Sequence, residues 1–178
     1  MALTITEALA EIKTIGKRLE SKRASVGGYL ARQENVRDPL EKEGGATAFI
    51  AKERQGIKDL EERIVTLRRA IRVANESTTI SIGSETRSIS DWLTFRREVA
   101  PGRKTALSNL RQSIHGVREQ AKRQGLNVAA SAETAKYCDV IVNINETELA
   151  TEIESLETIL GTLDGQLSLK NATTIIVE

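Results

Sequence analysis

The stretch that decides the fold is Thr47–Ile71, which has the sequence TAFIAKERQGIKDLEERIVTLRRAI. Six of its apolar residues fall on a seven-residue repeat: Ile50, Ile57, Leu60, Ile64, Leu67 and Ile71. From the second of these onward the steps alternate between three and four, which places the side chains on one narrow stripe of an α-helix. Most of the residues between them are charged. The helix therefore needs a partner helix to cover its stripe.

A second stripe of the same kind follows, and its residues are Leu107, Leu110, Ile114, Val117 and Ala121. The simplest arrangement pairs the two stripes in an antiparallel hairpin of two long helices. We therefore predict a mainly α protein with an antiparallel coiled-coil core. The residues expected to form its seam are Ile57, Leu60, Ile64, Leu67, Leu107, Leu110 and Ile114. A lone two-helix hairpin leaves apolar surface uncovered, so we expect a homo-oligomer.

The composition suits thin helical layers better than a thick globular core, since 29% of the 178 residues are charged and only 3% are aromatic. The net charge of +1 gives no support to a chain-wide attraction to nucleic acid or to an anionic membrane. No window approaches the ~20 apolar residues of a membrane span, and the first residues contain no apolar signal segment. We expect synthesis in the cytoplasm, no cleaved export signal and no membrane partner.

The charges are unevenly distributed along the chain. Residues 87–124 carry nine Lys and Arg against three Asp and Glu, a net +6, whereas residues 139–178 carry eight Asp and Glu against one Lys, a net −7. Opposite charges of this kind indicate that an acidic C-terminal helix lies on a basic middle helix, in the same subunit or in the next. The alternative is two solvated helix faces that never meet.

The N-terminal segment, residues 1–36, has the pattern of a capped helix. Thr4 and Glu7 form a capping-box pair, in which each side chain bonds to the backbone N–H group of the other residue. A weaker heptad register follows: Ile5, Leu9, Ile12, Leu19, Val26 and Leu30. Gly27–Gly28 loosens this helix. Pro39 should end it, because the residue before a proline avoids the α region.

Residues 37–125 form the predicted hairpin, with a β-ribbon over residues 76–90 at its tip. After the second helix the isoleucines alternate with polar residues, which is typical of two short strands around a turn at Gly83–Thr86. A two-stranded ribbon alone is marginally stable, so the tip must pack on something. The residues expected to order it are Ile80, Ile82, Ile89 and Trp92.

The third helix is expected to begin at the ribbon. Ser90 stands before Asp91 as a helix cap, and the acidic side chain suits the first turn. Ala100–Gly102 contains a proline and a glycine, where we expect a kink or a break. The helix should end at Gln124–Gly125, because glycine favours the conformation that follows a helix.

Residues 126–178 are predicted to form a strand-helix-strand unit. Leu126–Lys136 is expected to be a polar connector, and Val140–Ile144 is the best strand candidate. From Glu146 a heptad returns: Leu149, Ile153, Leu156, Leu160, Leu163 and Leu167. The last β-branched stretch should add to a sheet edge, against Val140–Ile144 or in a neighbouring subunit, with Ile175 and Val177 as its anchors.

The sequence offers little for catalysis. His115 is the only histidine and is expected at the surface or boundary of the third helix. Cys138 has no CxxC partner and is expected to be a small buried hydrophobe. Neither Gly27–Gly28 nor Gly44–Gly45 has the frame of a phosphate-binding loop. We predict no enzymatic activity, no metal site and no cofactor.

A candidate basic face lies on the third helix, and its residues are Arg96, Arg97, Arg103, Lys104 and Arg111. Such a face could bind phosphates or an acidic partner. It has no interleaved exposed aromatic residues and no nucleic-acid motif, and a solvated or intersubunit face explains it equally well. Nucleic acid is therefore a partner that we do not favour.

Two stretches resemble the septicolysin-like proteins. Ile71–Ile80, followed by Gly83, Ile89 and Trp92–Arg97, resembles the tip between two helices of that family, and Leu163–Thr174 is similar to its closing segment. This chain departs from the pattern in having Ala172 where an aromatic residue is usual, and in its longer N-terminal region. The resemblance implies a small, helical, self-associating protein. It supplies no catalytic residue, and no membrane-inserting segment supports a cytolytic activity.

The function that we expect is architectural. Small coiled-coil proteins with strand tips also occur in phage virions, so we predict a homo-oligomeric component of a large particle such as a virion, bound to other structural proteins. The alternative is a module that binds nucleic acid or an acidic partner through the basic third helix. An aspartate at Leu60 or Leu110 would place an unpaired charge in the seam and should dissociate or unfold the protein.

Overall fold

The computed structural model describes residues 2–129 and 138–177, and within these ranges the protein is mainly helical. The chain divides into two compact units. Unit 1 comprises Met1–Thr78 and Ser168–Glu178, and unit 2 comprises Thr79–Leu167. This division differs from the three predicted segments, because the first helix pairs with the second and the two ends of the chain pair with each other.

Unit 1 is built on an antiparallel hairpin of α1 (Ile5–Gly28) and α2 (Gly45–Ser77). The buried residues of the hairpin are Ile5, Ala8, Ile15 and Leu19 from α1, and Leu67, Ala70, Ile71 and Ala74 from α2. Ion pairs cross between the helices at Glu11–Arg63 (2.8 Å) and Lys22–Glu53 (2.9 Å). The partner number on α2 falls as the number on α1 rises, as it must when two helices run in opposite directions.

The predicted pairing of the second helix with the third is wrong, although the mainly α fold with antiparallel helical hairpins is confirmed. Ile57, Leu60 and Ile64 pack against the core that α2 shares with α1. Leu107 and Ile114 belong to a different core, in unit 2. A heptad stripe specifies that a helix needs a partner but not which stripe covers it.

Helix α1 is capped as predicted but is shorter than the predicted segment 1–36. The backbone N–H of Thr4 donates to Glu7 Oε2 at 2.8 Å, and the N–H of Glu7 donates to Thr4 Oγ1 at 3.2 Å. The helix ends at Gly28, directly after Gly27, and Leu30 is exposed. Two consecutive glycines destabilise a helix by about 1 kcal/mol each, which favours an end at this point.

The connection from α1 to α2 is ordered by a carboxylate that no sequence pattern had indicated. Asp38 accepts hydrogen bonds from the backbone N–H groups of Ala46 (2.8 Å) and Leu40 (2.9 Å). Ala46 lies in the first turn of α2, where N–H groups have no partner within the helix. Gly44 and Gly45 adopt φ values of 96° and 83°, which bring the chain into the helix in a conformation that favours glycine.

Acidification should weaken this cap, since the N–H groups of Ala46 and then Leu40 lower the pKa of Asp38. A carboxyl whose pKa is lowered by folding adds stability above its unfolded pKa of about 3.9. That stability is lost as the pH falls through the lower folded pKa. We therefore expect Asp38→Asn to lower the urea midpoint at neutral pH and to flatten its decline between about pH 5 and pH 2.

Glu34→Gln provides the control for this titration, because Glu34 lies in the same connection and makes no hydrogen bond to the described residues. Its urea midpoint should follow that of the wild type at every pH. An Asp38→Asn curve that runs parallel to the wild-type curve would show that the cap does not contribute to acid sensitivity.

Unit 2 begins with the predicted ribbon. Strands β2 (Thr79–Ile82) and β3 (Glu85–Ser88) are antiparallel, with Ile82 opposite Glu85 across a two-residue turn. Gly83 takes a φ of 58° at the first position of the turn, a conformation that costs glycine little. The four predicted tip residues are all buried in one core: Ile80, Ile82, Ile89 and Trp92.

The third helical segment is continuous across the predicted break. It comprises α3 (Ile89–Thr94), a π-helical turn over Phe95–Val99 and α4 (Ala100–Arg123). Ser88, rather than the predicted Ser90, is the cap, and its Oγ accepts the Asp91 N–H at 3.0 Å. Pro101 sits in the first turn of α4, where its missing N–H is not needed within that helix. The irregularity is thus a wider turn and not a chain break.

Helix α5 (Glu146–Thr173) runs antiparallel to α4 in unit 2. Its N-terminus is capped by Asn145, whose Oδ1 accepts the N–H of Thr147 at 3.0 Å. Leu149, Leu156 and Leu163 share one core with Ala100, Leu107 and Ile114 of α4. The boundary between the two units, after Leu167, falls within α5.

Four further strands among the described residues are each two residues long. Strand β4 (Val128–Ala129) pairs in parallel with β5 (Val140–Ile141), which is shorter than the predicted strand Val140–Ile144. The predicted connector Leu126–Lys136 lies partly outside the described residues. Strand β6 (Ile175–Ile176) pairs with β1 (Leu3–Thr4) and not, as one alternative predicted, with Val140–Ile144.

The register of the last strand corrects the predicted anchors. Ile176 is buried in the unit 1 core, whereas Ile175 is 58% exposed and Val177 is 85% exposed. Successive side chains of a strand point to opposite faces, so an assignment that is wrong by one residue exchanges every inward and outward position. The β-branched composition identified the strand but not the face that it buries.

Candidate interaction surface

The predicted basic face meets acidic residues of the same unit. Four ion pairs join α4 and the turn before it to α5: Arg96–Asp164 (3.1 Å), Arg103–Glu152 (2.6 Å), Lys104–Glu157 (3.6 Å) and Arg118–Glu146. Arg97 pairs with its neighbour Glu98 at 2.6 Å. The prediction that the acidic helix lies on the basic helix is therefore confirmed, within one subunit. Each exposed pair contributes only about 0.2–1 kcal/mol, but together the four pairs favour the packing of α5 against α4.

Arg111 differs from the rest of this face. It is exposed and has no ion-pair or hydrogen-bond partner among the described residues. It lies seven residues after Lys104 and seven before Arg118, so the three basic residues share one flank of α4. The outer two reach carboxylates on α5, but opposite Arg111 lie Ala150 and Ile153. The row of ion pairs thus lacks one acid.

A groove follows this flank between α4 and α5. It consists of two adjoining cavities of about 300 and 120 Å³, and Arg111 and Ile153 line both. Beneath the first cavity lie Ile114 and Leu149, and beneath the second lie Leu107 and Leu156. The groove therefore has an apolar floor, an ion pair toward each end and one unpartnered cation between them.

His115 lies on the rim of the larger cavity and is exposed, as predicted for the third helix. It makes no hydrogen bond to any described residue. A histidine that acts as a general base needs a group that orients its ring and a second group that it can deprotonate. Neither role is filled around His115 among the residues that the structure describes.

Cys138, which was expected to be a small buried hydrophobe, is partly buried.

The opposite flank of the same helix pair carries an apolar ridge, defined here as Leu110 and Val117. They follow Arg103 at intervals of seven and so share its flank of α4, away from Arg111. Leu110 is 41% exposed and Val117 is 42% exposed, although Leu107, Ile114 and Ala121 of the same heptad stripe are buried. Three of the five residues of the stripe are thus buried, and two are left open to solvent.

A carboxylate without a partner also lies on the ridge flank. Glu148 is exposed and has no ion pair with any described residue. It precedes Glu152 by one helical turn, so both side chains occupy the flank of α5 on which Glu152 reaches Arg103. The ridge flank therefore combines two exposed apolar side chains with one uncompensated negative charge.

Single residues of both flanks were predicted from the sequence, but the two surfaces that they form were not. Leu110 was predicted to lie in a closed seam, which is wrong because the residue is partly exposed, and Arg111 was predicted to belong to a uniform basic face. Aligning the basic residues of α4 with the acidic residues of α5 in antiparallel order would have found the missing acid. That alignment needs the correct helix pairing, which the heptads alone did not give.

The chain matches no protein-family model, no curated protein and no solved structure. The resemblance to the septicolysin-like proteins therefore stays a prediction. No group of three or more His, Cys, Asp or Glu side chains in residues 2–129 and 138–177 is arranged to hold a metal ion. None of the helices in those ranges combines the length and hydropathy of a transmembrane span.

Proposed function

We propose that the protein is a non-enzymatic structural protein that associates with copies of itself and builds part of a large particle, such as a phage virion. The observation that supports this most directly is the ridge on α4. A heptad stripe of five apolar residues is buried at Leu107, Ile114 and Ala121 and is open to solvent at Leu110 and Val117. These two exposed positions are available to a second partner helix.

Covering the ridge would favour association. Burial of apolar surface contributes about 25 cal/mol per Å², so completing the burial of a half-exposed leucine or valine contributes about 1 kcal/mol. Two such residues in each contact give a modest but repeated stabilisation. A large assembly repeats the same weak contact many times, so the contacts together can hold it stable. The choice of a virion rests on analogy with other small coiled-coil proteins.

The alternative, a module that binds nucleic acid, is less well supported. Four of the five residues of the predicted basic face lie beside carboxylates of the same unit, which lowers the positive charge available to phosphates. Salt separates the two proposals. Phosphate binding weakens steeply between low and physiological salt, whereas association through apolar side chains responds much less.

Leu110→Asp tests the structural proposal. Because Leu110 is already partly in water, the variant should keep its helical circular dichroism and shift to monomer, with a dissociation constant raised by about tenfold or more. Sedimentation across a concentration series gives the masses. Gln112→Asp is the matched control, because it adds the same charge to an exposed position of α4 outside the stripe.

Two results would count against the proposal. A wild-type protein that stays monomeric at every concentration would remove self-association altogether. Equal masses for Leu110→Asp and the wild type would remove the ridge as its basis. Recovery of the protein with a large particle, together with other polypeptides of that particle, is the expected result of purification from its source.

A further inference from the structure

The α4–α5 pair has two different flanks, and their features match each other. One flank is the groove, with an apolar floor and the unpartnered cation of Arg111. The other is the ridge, with Leu110 and Val117 beside the unpartnered carboxylate of Glu148. The same chain thus presents one flank with a cation that has no carboxylate partner and another flank with a carboxylate that has no cation partner.

The spacing of the apolar groups agrees on both flanks. Leu110 and Val117 are seven residues apart, about 10.5 Å along the helix. The floor residues that α4 contributes to the two cavities are Ile114 and Leu107, which are also seven residues apart. Each ridge side chain therefore has a cavity at the matching interval, as in the packing of ridges into grooves between helices.

We infer that copies of this chain associate side by side, with the ridge of one copy in the groove of the next and Glu148 of the first beside Arg111 of the second. The inference rests on the proposed self-association and specifies its surface. The occupant of the groove is a second copy because its ridge supplies both the apolar side chains and the carboxylate that the groove lacks. A carboxylate at Arg111 would complete the row of ion pairs along that flank.

This contact joins two different surfaces, so it is heterologous. Each copy keeps an open groove or an open ridge after one contact forms, and addition continues until a ring closes or a filament grows. A contact between two identical patches would instead stop at two copies. The expected wild-type mass therefore rises beyond that of a dimer as the concentration increases.

Charge reversal tests the contact. Arg111→Glu and Glu148→Arg each place like charges together when a copy meets its own kind, so each variant alone should have a dissociation constant raised by about tenfold or more. An equal mixture of the two should assemble again. The Arg111→Glu variant carries a carboxylate at positions 111 and 148, and the Glu148→Arg variant carries a guanidinium at both. Every contact between unlike copies therefore joins opposite charges. Sedimentation of each variant, of the mixture and of the double variant gives the masses.

The controls separate this inference from the proposed function. Glu154→Arg makes the same change at an exposed position of α5 off the ridge flank, and its mass should equal that of the wild type. If both single reversals had the wild-type mass while Leu110→Asp dissociated, the pairing of Glu148 with Arg111 would be wrong but self-association would stand. The pairing would also be wrong if the single variants dissociated but did not recover on mixing. A wild-type mass that stops at two copies would rule out the heterologous contact. A monomeric wild type would overturn both proposals.

Discussion

Replacing Trp92 with alanine is expected to destabilise unit 2 by about 3–5 kcal/mol, the usual cost of removing a buried aromatic side chain. Trp92 is 1% exposed and packs edge-on against Phe95, with ring centroids 5.7 Å apart. Its Nε1 donates to the Ile80 carbonyl oxygen at 3.0 Å, which ties α3 to β2. Urea unfolding followed by far-ultraviolet circular dichroism measures the loss.

Two further variants separate the contribution of the Trp92 hydrogen bond from that of its buried ring and provide a control at the neighbouring position. Trp92→Phe keeps most of the ring but leaves the Ile80 carbonyl oxygen without its donor, so it should cost about 1–3 kcal/mol. Leu93→Ala alters the next, more exposed residue of α3 and should cost less than about 1 kcal/mol. If Trp92→Ala were no more destabilising than Leu93→Ala, the ribbon would not depend on this side chain.

The helices and the ribbon were predictable from local patterns. A seven-residue apolar repeat requires a helix, and the alternation of Ile80 and Ile82 before Gly83 requires a strand and a turn. The capping pair Thr4 and Glu7 is also local, since its hydrogen bonds span three residues. These signals depend only on neighbours in the sequence.

The choice of helix partners depends on comparisons over long distances in the chain. Helix α2 pairs with α1 through a seam that includes Ala8, a small residue that carries little hydrophobic signal. The neighbouring Leu9 was predicted at that seam instead, and it proves to be more exposed. In the predicted register Gly16 and Arg23 occupied core positions, which weakened the apparent seam of α1 and made the third helix look like the better partner for α2.

The charge pattern carried information that the heptads did not. The net +6 of residues 87–124 and the net −7 of residues 139–178 predicted the contact between α4 and α5. The candidate surface could not be predicted in the same way. Leu110 belongs to the same heptad stripe as the buried residues Leu107 and Ile114. Whether its own side chain is buried depends on how α5 is placed on α4, which the heptad pattern does not specify.

Replacing Leu67 with alanine is expected to destabilise unit 1 by about 2–5 kcal/mol. Leu67 is 0% exposed and belongs, with Ile5, Ala8 and Ile71, to the core shared by α1 and α2. Removing its side chain takes away the transfer energy of the lost methyl groups and leaves a cavity that two helices close only in part. Urea unfolding followed by circular dichroism measures the change.

The matched control is Val65→Ala, two residues earlier on the exposed side of α2, which should change stability by no more than about 0.5 kcal/mol. A second comparison tests the pairing. Ile5→Ala on α1 should destabilise the same transition. The double variant should lose less than the sum of the two, because the Glu11–Arg63 ion pair places Ile5 and Leu67 at neighbouring levels of the hairpin, where their side chains share one core. Strictly additive losses would mean that Ile5 and Leu67 are not neighbours, and α2 would then need a different partner from α1.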